Sequence, residues 1–562
     1  MSRRSRGGSS ALRGGLPGRK RTLRSRYRDF RRLRAIAAVL AKYGFGELVS
    51  VLVARYPFIK FSGPRVGTEL SRGERLRLAL EDLGPTFVKL GQILSLRPDL
   101  VPPDIAGELR KLQDEASPVP FSEVRAQIES ELGRPLTALF REFEERPLAA
   151  ASLAQVHRAR TRDGELVAVK VQRPGIREVI EADLDILFEL ARLVERRLPG
   201  GELYDPVGAV EEFARTIRAE LDFTREGRHM EIFARNFAGD ETIYVPKVFW
   251  EYTTPRVLVM EYIQGIKISD LEQLEAAGLD RKAIARNGAQ AILKQVFEHG
   301  FFHADPHPGN LLVLPGNVIA PLDFGMMGRL DEELRTQVAE LLAAFVKKDV
   351  DGIIGVLREM GSLDAGVDTQ ALRAELSGLI DYYYGIPLKR LDFRRIFEEG
   401  MALVRNFQIR IPPGLVLMGK ALVTEEGVGR MLDPDFDMVS MAKPYVQRLL
   451  LQRYDPRRQL AKWLEILAGY QRMLARLPAD VQAALAGLVE LGRTSAARGE
   501  ERSRDRLSLA LVIAALFLGS SLILQSGTGP QLWGMPVLGL LGYAGVAILV
   551  GWLLWGLRSG RG

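Results

Sequence analysis

A short loop, FFHADPHPGNLLV at residues 301–313, carries the side chains with the clearest capacity for chemistry in this chain. His303, Asp305 and His307 are of the types that bind zinc or iron, so a metal site is one interpretation. Two histidines four residues apart share a face only on a helix, and the two prolines inside this segment oppose a helix. The other interpretation is the His-x-Asp-x-x-x-x-Asn loop of a phosphotransferase, which Asn310 completes.

A phosphotransferase loop needs a second carboxylate nearby, and the sequence supplies one. Asp323-Phe324-Gly325 follows the apolar run VIAPL, thirteen residues after Asn310. The tripeptide is common by itself, but its place after a predicted strand and behind such a loop is specific. We expect Asp323 and Asn310 to hold magnesium on the phosphates, and Asp305 to orient or deprotonate the acceptor.

The same chemistry requires a lysine on an upstream strand. ELVAVKVQRPG places Lys170 in a β-branched, partly alternating run that predicts a strand. Its ammonium group could neutralise phosphate oxygens if a carboxylate holds it in place. Glu226, on the predicted helical segment 213–237, is the chosen partner. The alternative is that Lys170 is an ordinary surface lysine.

The segment before this strand departs from the pattern of protein kinases. Where they have three glycines and a valine, this chain has AAASLAQV at residues 149–156. A Cβ atom limits both positive φ angles and close approach of the backbone to phosphate, so the geometry should differ. The candidate nucleotide-covering residues are Ala149, Ala150, Ala151, Ser152, Ala154 and Val156.

A third strand, RVLVMEYIQG at residues 256–265, is predicted to lead into a hinge, where the backbone of Glu261 and Ile263 would meet adenine. No Ala-Pro-Glu follows Asp323. A helical pattern begins almost at once instead. The peptide-docking platform of a protein kinase is therefore expected to be missing, which argues against protein substrates.

Composition excludes several classes of function. The chain has no cysteine, which rules out disulfides, zinc thiolates, iron–sulfur clusters and cysteine nucleophiles. Residues 1–34 carry 13 Lys or Arg and a single acid, Asp29. Their charge of +12 leaves −4 for the rest of a chain whose net charge is +8. We expect a disordered tail that contacts anionic lipid headgroups, with no nucleic-acid partner.

The C-terminal end predicts a membrane hairpin. Residues 507–557 include no charged side chain, and two apolar runs at 507–524 and 532–557 flank a glycine-rich turn. As helices the runs would extend about 27 and 39 Å, against a hydrocarbon core of about 30 Å. Arginines lie on both flanks and none in the turn, so both ends are expected in the cytoplasm. A buried helical pair in a soluble protein is the alternative.

Taken together, these motifs resemble the UbiB family of atypical kinases, also called the ABC1, AarF or ADCK family. The most specific part is FVKLGQILSLRPDLVP, whose Lys-x-Gly-Gln is formed by Lys89, Gly91 and Gln92. The alanine-rich loop is also a pattern of that family, and the resemblance covers about residues 35–440.

The resemblance assigns regulatory roles to residues that physical reasoning leaves unassigned. In the family the N-terminal extension folds over the nucleotide site, where Lys89 and Gln92 would obstruct a protein substrate. Glu220 and Asp222 match a Glu-x-Asp motif that would contact this helix.

The resemblance implies an α+β, two-lobed protein-kinase-like fold with an N-terminal helical extension and a C-terminal transmembrane helical hairpin. It implies ATP and Mg²⁺ as cofactors, and support of isoprenoid quinone (ubiquinone-type) biosynthesis at the cytoplasmic face of a bacterial inner membrane. The implied partners are quinone precursors, quinone-biosynthesis enzymes and membrane lipids. Two small residues four positions apart in the first apolar run are a weak signal for helix association, which is consistent with a homodimer.

The expected organisation has six parts. They are a basic tail at 1–34, a helical extension at 35–120, a small lobe at 121–265, a large lobe at 266–440, a helical linker at 441–506 and two transmembrane helices at 507–557. Two other functions remain open. One is a small-molecule phosphotransferase of the aminoglycoside or choline kinase type, and the other is a nucleotide-binding membrane scaffold without turnover.

Overall fold

The protein is described by a computed structural model. The structure describes residues 23–46, 70–95, 101–112, 116–197, 205–363, 366–383 and 393–453, with parts of 512–558. The chain divides into two units, Met1–Leu449 and Leu450–Gly562, and the candidate site lies in the first.

The N-terminal extension is helical. Its helices are α1 (Leu23–Lys42), α2 (Arg72–Leu83), α3 (Pro85–Ser95) and α4 (Pro103–Leu109). Helix α2 begins with a reciprocal cap, because Ser71 accepts a hydrogen bond from the N–H of Glu74 while the Glu74 carboxylate accepts one from the N–H of Ser71.

The start of α1 corrects one prediction. The segment 1–34 was expected to be disordered, yet α1 begins at Leu23. Two interactions explain why the last part of the basic segment is ordered. Arg32 forms an ion pair with the fully buried Asp183, with 2.6 Å between Nε and Oδ1, and Leu33 is buried in the core beside it.

The small lobe contains a five-stranded antiparallel sheet. Its strands are β1 (Phe140–Phe143), β2 (Ala149–Ala150), β3 (Ala154–Thr161), β4 (Leu166–Gln172) and β5 (Val257–Glu261). The strand order is β1-β3-β4-β5, and β2 pairs with β3. The helices of this region are α5 (Phe121–Leu132), α6 (Leu136–Leu139), α7 (Ile176–Arg197), α8 (Pro206–Glu220) and α9 (Phe223–Asn236).

The alternation of side chains along β4 determines on which face of the sheet Lys170 lies. Val167, Val169 and Val171 are buried in a core that includes residues of α5 and α6. Because successive side chains of a strand point to opposite faces, Ala168 and Lys170 face the other way, toward α9. The strand therefore presents a single charged side chain, Lys170, on this face.

The large lobe is mainly helical and carries two small sheets. Its strands are β6 (Ile266–Lys267), β7 (Phe301–His303), β8 (Leu311–Leu314), β9 (Val318–Pro321) and β10 (Met327–Arg329). The sheets have the orders β6-β8-β9 and β10-β7. Its helices are α10 (Leu271–Ala276), α11 (Arg281–Leu293), a π-helical turn (Lys294–His299), α12 (Glu332–Val346), α13 (Val350–Glu359), α14 (Thr369–Tyr383), α15 (Phe393–Asn406), α16 (Pro413–Leu432) and α17 (Met438–Arg453).

Helices α12 to α16 form a core of their own beside the central one. Ile353, Leu372, Ile380, Met401 and Val416 are among its buried side chains. Helix α16 also packs on α11, so it joins this helical region to the part of the large lobe that carries residues 301–313, the predicted catalytic loop. The predicted linker at 441–506 lies outside the described residues beyond Arg453.

The described part of the C-terminal unit contains helical turns between 512 and 524, a short hairpin of β11 (Gln531–Leu532) and β12 (Met535–Pro536), and α18 (Val537–Arg558). The two helical segments are in contact, since the hydroxyls of Ser521 and Tyr543 lie 2.7 Å apart. Among all the residues that the structure describes, no helix combines the length and apolarity needed to cross a membrane. The predicted transmembrane hairpin is therefore not confirmed.

Candidate active site

Three charged groups from three elements meet at one side of the site. Lys170 Nζ on β4 lies 2.8 and 2.9 Å from the two carboxylate oxygens of Glu226 on α9. Asp323 Oδ1 is 3.7 Å from the same ammonium group. The ring of Phe223 lies beneath the ammonium group, 5.4 Å from the ring centre. The expected partner of Lys170 is present, and one lysine is shared between two carboxylates.

The three charged groups of this cluster differ in how their pKa values are shifted, and so in the pH at which each changes its charge. Burial lowers the pKa of Lys170, but the negative charges of Asp323 and Glu226 outweigh it and raise that pKa above its usual value. Lys170 also holds the pKa of Asp323 well below its usual range. Burial raises the pKa of Glu226 to about 7, even beside the lysine. As the pH falls, Glu226 therefore takes up a proton first and Asp323 keeps its charge.

Hydrogen bonds fix the backbone on both sides of Asp323. The N–H of Gly325 donates to Asp323 Oδ1 at 2.9 Å, and His229 Nδ1 donates to the carbonyl of Phe324 at 2.9 Å. Phe324 is fully buried and packs edge-on against Phe233, with the ring centres 5.2 Å apart. The side chain of Phe324 anchors the tripeptide in the core, so the orientation of Asp323 is set by packing.

His303 braces the catalytic loop against this tripeptide. Its Nε2 donates to the carbonyl of Asp323 at 2.5 Å, and its Nδ1 accepts from the N–H of Asp305 at 3.1 Å. Burial lowers the pKa of His303, which favours the neutral ring that this pattern requires. Both ring nitrogens are thus committed, and His303 is not available to a metal ion.

Asn310 lies at the same end of the β8–β9 hairpin as Asp323. It closes a 3₁₀ turn at Pro308–Asn310, and its carbonyl accepts from the N–H of Leu322 at 2.9 Å. One predicted metal ligand therefore lies just before the hairpin and the other just after it, at the same end. Among the described residues, no group of three or more His, Asp or Glu side chains could hold a metal ion. Mg²⁺ typically takes one or two protein ligands beside phosphate oxygens, so Asp323 and Asn310 fit it.

Asp305 has a partner that the sequence analysis missed. Lys420 on α16 places its Nζ 2.8 Å from Asp305 Oδ1. The signal that could have found it is a lone lysine within the apolar stretch LVLMGKALV of residues 415–423. A charge at such a position is costly to bury unless it has a partner or a polar cleft to reach.

The alanine-rich loop is held by hydrogen bonds from neighbouring chain. Arg173 Nε donates to the carbonyl of Ala151 at 2.8 Å, and the N–H of Ala116 donates to the carbonyl of Ala150 at 3.2 Å. Ser152 and Ala154 are buried. Ala149 pairs with Val156 across β2 and β3. The loop is thus anchored by these contacts, and the nucleotide-covering role of its residues remains a prediction.

The predicted hinge follows β5 directly. The N–H of Glu261 donates to the carbonyl of Lys247 at 2.8 Å, and the Glu261 carboxylate accepts from the Tyr244 hydroxyl at 2.9 Å. Ile263 follows the end of the strand. These contacts fix the segment expected to meet adenine, and that role also remains a prediction.

The Lys-x-Gly-Gln helix α3 is tied to the small lobe. Lys89 Nζ lies 2.7 Å from Glu220 Oε1 at the end of α8, and Gln92 Nε2 donates to the carbonyl of Leu112 at 3.3 Å. Gly91 permits close packing, because a Cβ there would lie 2.3 Å from a methyl carbon of Leu112.

Asp222 has a structural role at the start of α9, and its implied contact with the Lys-x-Gly-Gln helix stays a prediction. It caps α9, accepting from the N–H of Thr224 at 3.1 Å and from its hydroxyl at 2.7 Å. This cap sets the start of the helix that carries Glu226, so Asp222 bears on the site through that helix.

Three family models match different parts of the chain. The ABC1 atypical kinase-like domain matches residues 111–357, the UbiB helical domain matches residues 376–437, and the ABC1/UbiB kinase-like C-terminal domain matches residues 494–558. All the predicted catalytic and metal-binding residues lie in the first match, whereas Lys420 lies in the second.

Similar proteins span most of the chain. A probable protein kinase UbiB of Pseudomonas paraeruginosa is 37% identical over 523 residues, which cover 90% of this chain and 96% of that protein. Another protein of that name, from Cellvibrio japonicus, is 39% identical over 82% of this chain and 84% of its own length. A solved complex of Rv3197 with erythromycin from Mycobacterium tuberculosis aligns with a TM-score of 0.45 at 23% identity, covering 69% of this chain and 93% of that one. On the sequence similarities, the chain belongs to the UbiB family of ABC1 atypical kinase-like proteins.

Proposed function

We propose that this protein is an ATP-dependent atypical kinase or ATPase that uses Mg²⁺. The cluster of Lys170, Glu226 and Asp323 carries the proposal. A desolvated lysine shared by two carboxylates, one of which keeps its charge, can bind phosphate oxygens with one group and a divalent cation with another. A purely structural role would not require the exposed carboxylate of Asp323 beside the pair.

Each residue has a defined task in this proposal. Lys170 neutralises non-bridging phosphate oxygens, and Glu226 keeps its ammonium group in place. Asp305 orients the acceptor hydroxyl or water and takes its proton. Asp323 and Asn310 would hold Mg²⁺, which when bound supplies positive charge to the phosphates. His303 keeps Asp305 and Asp323 in a fixed relation through its two hydrogen bonds.

A small acceptor or water fits this site better than a protein. Helix α12 begins at Glu332, soon after the tripeptide, where a protein kinase builds its peptide-docking platform. The extension also ties Lys89 to Glu220 at the end of α8. These features support the proposal that the reaction has a non-protein acceptor, and that the family's quinone-related role extends to this chain.

We also propose that the C-terminal unit attaches the protein to a membrane from the cytoplasmic side. The observation that supports it is the apolar surface that this unit exposes. Leu541 and Ile548 of α18 are 64% and 71% exposed. Apolar area of this kind is unfavourable in water and favourable at a lipid boundary.

The test is magnesium-dependent ATP hydrolysis by the purified full chain, with and without anionic liposomes. We expect turnover in the wild type, stimulation by liposomes, and loss of turnover in Asp323→Asn. Asp435→Asn is the matched control, because Asp435 is an exposed carboxylate between α16 and α17 that takes no part in the site.

The outcomes separate the remaining alternatives. Turnover that persists in Asp323→Asn would contradict the proposed role of this carboxylate. If the wild type binds nucleotide but does not hydrolyse it under either condition, the ATPase proposal fails and a nucleotide-binding scaffold becomes the better description. Equal turnover with and without liposomes, together with no binding to them, would contradict the membrane proposal.

A further inference from the structure

A second lysine faces the site from the side opposite Lys170. Lys420 projects from α16, and its ammonium group lies 2.8 Å from the carboxylate of Asp305. The neighbouring Ala421 is fully buried, so the helix itself is anchored in the core at this point. The lysine extends from this fixed support, and its partner is Asp305, the predicted catalytic base.

The catalytic loop itself offers no permanent positive charge to the acceptor side. The residues between Asp305 and Asn310 are Pro306, His307, Pro308 and Gly309. The ring of His307 is exposed, and its Nδ1 accepts a hydrogen bond from the N–H of Gly309 at 3.1 Å. A transferred phosphoryl group carries negative charge on its equatorial oxygens, and positive charge near them stabilises the transition state. Lys420 is positioned to provide it.

We infer that Lys420 is a catalytic residue whose ammonium group binds the transferred phosphoryl group, with Asp305 as its counter-ion before the reaction. The inference rests on the proposed ATP-dependent function and extends it by naming the cation on the acceptor side. It assigns the helical region a direct part in the chemistry, because Lys420 lies in the match to the UbiB helical domain, beyond the kinase-like match that ends at residue 357.

The proposed reaction would make Lys420 exchange its partner, from the carboxylate of Asp305 to the phosphoryl group. The acceptor oxygen, from water or a hydroxyl group, forms a bond to the γ-phosphorus. The bond from that phosphorus to the β–γ bridging oxygen breaks, and ADP leaves with its electron pair. The acceptor's proton passes to Asp305, which becomes neutral. Lys420 then loses its ionic partner, and its ammonium group can bind the phosphoryl group in transfer. The ammonium group is a point charge with three donors, which suits this exchange.

The experiment compares two ligands on the full chain, Mg-ADP and Mg-ADP with aluminium fluoride. The second imitates the phosphoryl group in transfer, and the first lacks it. We expect Lys420→Met to bind Mg-ADP within about twofold of the wild type and the aluminium fluoride complex about a hundredfold more weakly, with a matching loss in ATP turnover. Lys420→Arg should recover part of both. Lys443→Met, at an exposed position of α17, is the matched control and should change neither.

Each alternative result has a distinct meaning. If Lys420→Met weakens both ligands equally, the lysine has a structural role and the inference is wrong. If it weakens neither, Lys420 does not contact the phosphoryl group and the inference is again wrong. Binding of Mg-ADP by the variant also reports that the protein is folded. A wild type that binds neither ligand would overturn the proposed function, and this inference with it.

Discussion

The site has a lysine–carboxylate pair on each side, and the two differ in their access to water. On the small-lobe side, the side chains of Lys170 and Glu226 are 19% and 5% exposed. On the large-lobe side, those of Lys420 and Asp305 are 27% and 44% exposed. The nitrogen–oxygen distance is 2.8 Å in both pairs. Geometry alone therefore does not distinguish them, and desolvation does.

The difference indicates separate tasks. A buried charge whose partner is removed is costly, so the first pair holds the structure of the site together as well as serving its chemistry. A pair open to solvent contributes little to stability and can exchange partners at low cost. The first pair is suited to a fixed binding site, and the second to a step in which charge moves.

The largest expected effect is that of Lys170→Met. The variant leaves the carboxylate of Glu226 buried without its cation, which should lower the free energy of unfolding by about 3 kcal/mol and abolish ATP turnover. Glu226 can relieve part of the cost by taking up a proton, because its pKa is already raised to about 7. Denaturant unfolding and ATP hydrolysis by the same preparations measure both effects.

A double variant, Lys170→Met with Glu226→Met, separates stability from chemistry. Replacing both charged groups with apolar side chains should recover most of the lost unfolding free energy, while turnover stays absent. If the single variant is as stable as the wild type, the two lysine pairs are not distinguished by desolvation, and the comparison fails.

Lys170 and the loop at residues 301–313 could be predicted because their signals are local. Asp305, Asn310 and Asp323 fall within one short segment, and Lys170 lies on a strand whose alternation is visible in the sequence. Motif spacing of this kind reflects one continuous piece of backbone. The strand leading into the hinge and the helix after the tripeptide follow from the same periodicities, whereas the two-lobed arrangement was implied by the family resemblance.

The remaining features depend on contacts between distant elements. Lys420 and Asp305 are 115 residues apart, and they meet because α16 packs against α11 and other elements of the large lobe. The order in the basic segment likewise depends on Arg32 reaching Asp183, 151 residues away. Composition predicted disorder there because it takes no account of a buried carboxylate supplied by another helix.

A second expected effect concerns a buried carboxyl that has no lysine partner. Burial raises the pKa of Glu425, on α16, to about 7. The group lies where Gly288 of α11 leaves room, since a Cβ there would be 2.3 Å from Glu425 Oε1. Glu425 shows what desolvation does to the pKa of a carboxyl group in this fold when no cation opposes it.

The pH dependence of Glu425→Gln follows from the raised pKa. The folded protein binds this proton more tightly than the unfolded chain, so the stability it contributes is complete below about pH 4.5 and is lost as the pH rises through about 7. The glutamine variant lacks this loss. Relative to the wild type, its unfolding free energy should rise by about 2–3 kcal/mol between pH 5 and pH 8. Glu359→Gln, at an exposed position of α13, should show no such trend in the same urea titrations.

The smallest expected effect is that of Lys420→Met on stability. Because both members of its pair reach solvent, the change in unfolding free energy should be about 1 kcal/mol or less, well below that of Lys170→Met. Urea unfolding of the two single variants, side by side with the wild type, measures the contrast directly. A loss as large as that of Lys170→Met would mean that the charge on Asp305 is held by the fold itself, and a lysine fixed in that way could not turn toward a phosphoryl group. A small loss of stability together with a large fall in turnover would instead mean that Lys420 acts mainly in the transition state. The two lysine pairs have the same nitrogen–oxygen distance, so their unequal exposure to water would then account for the difference in their roles.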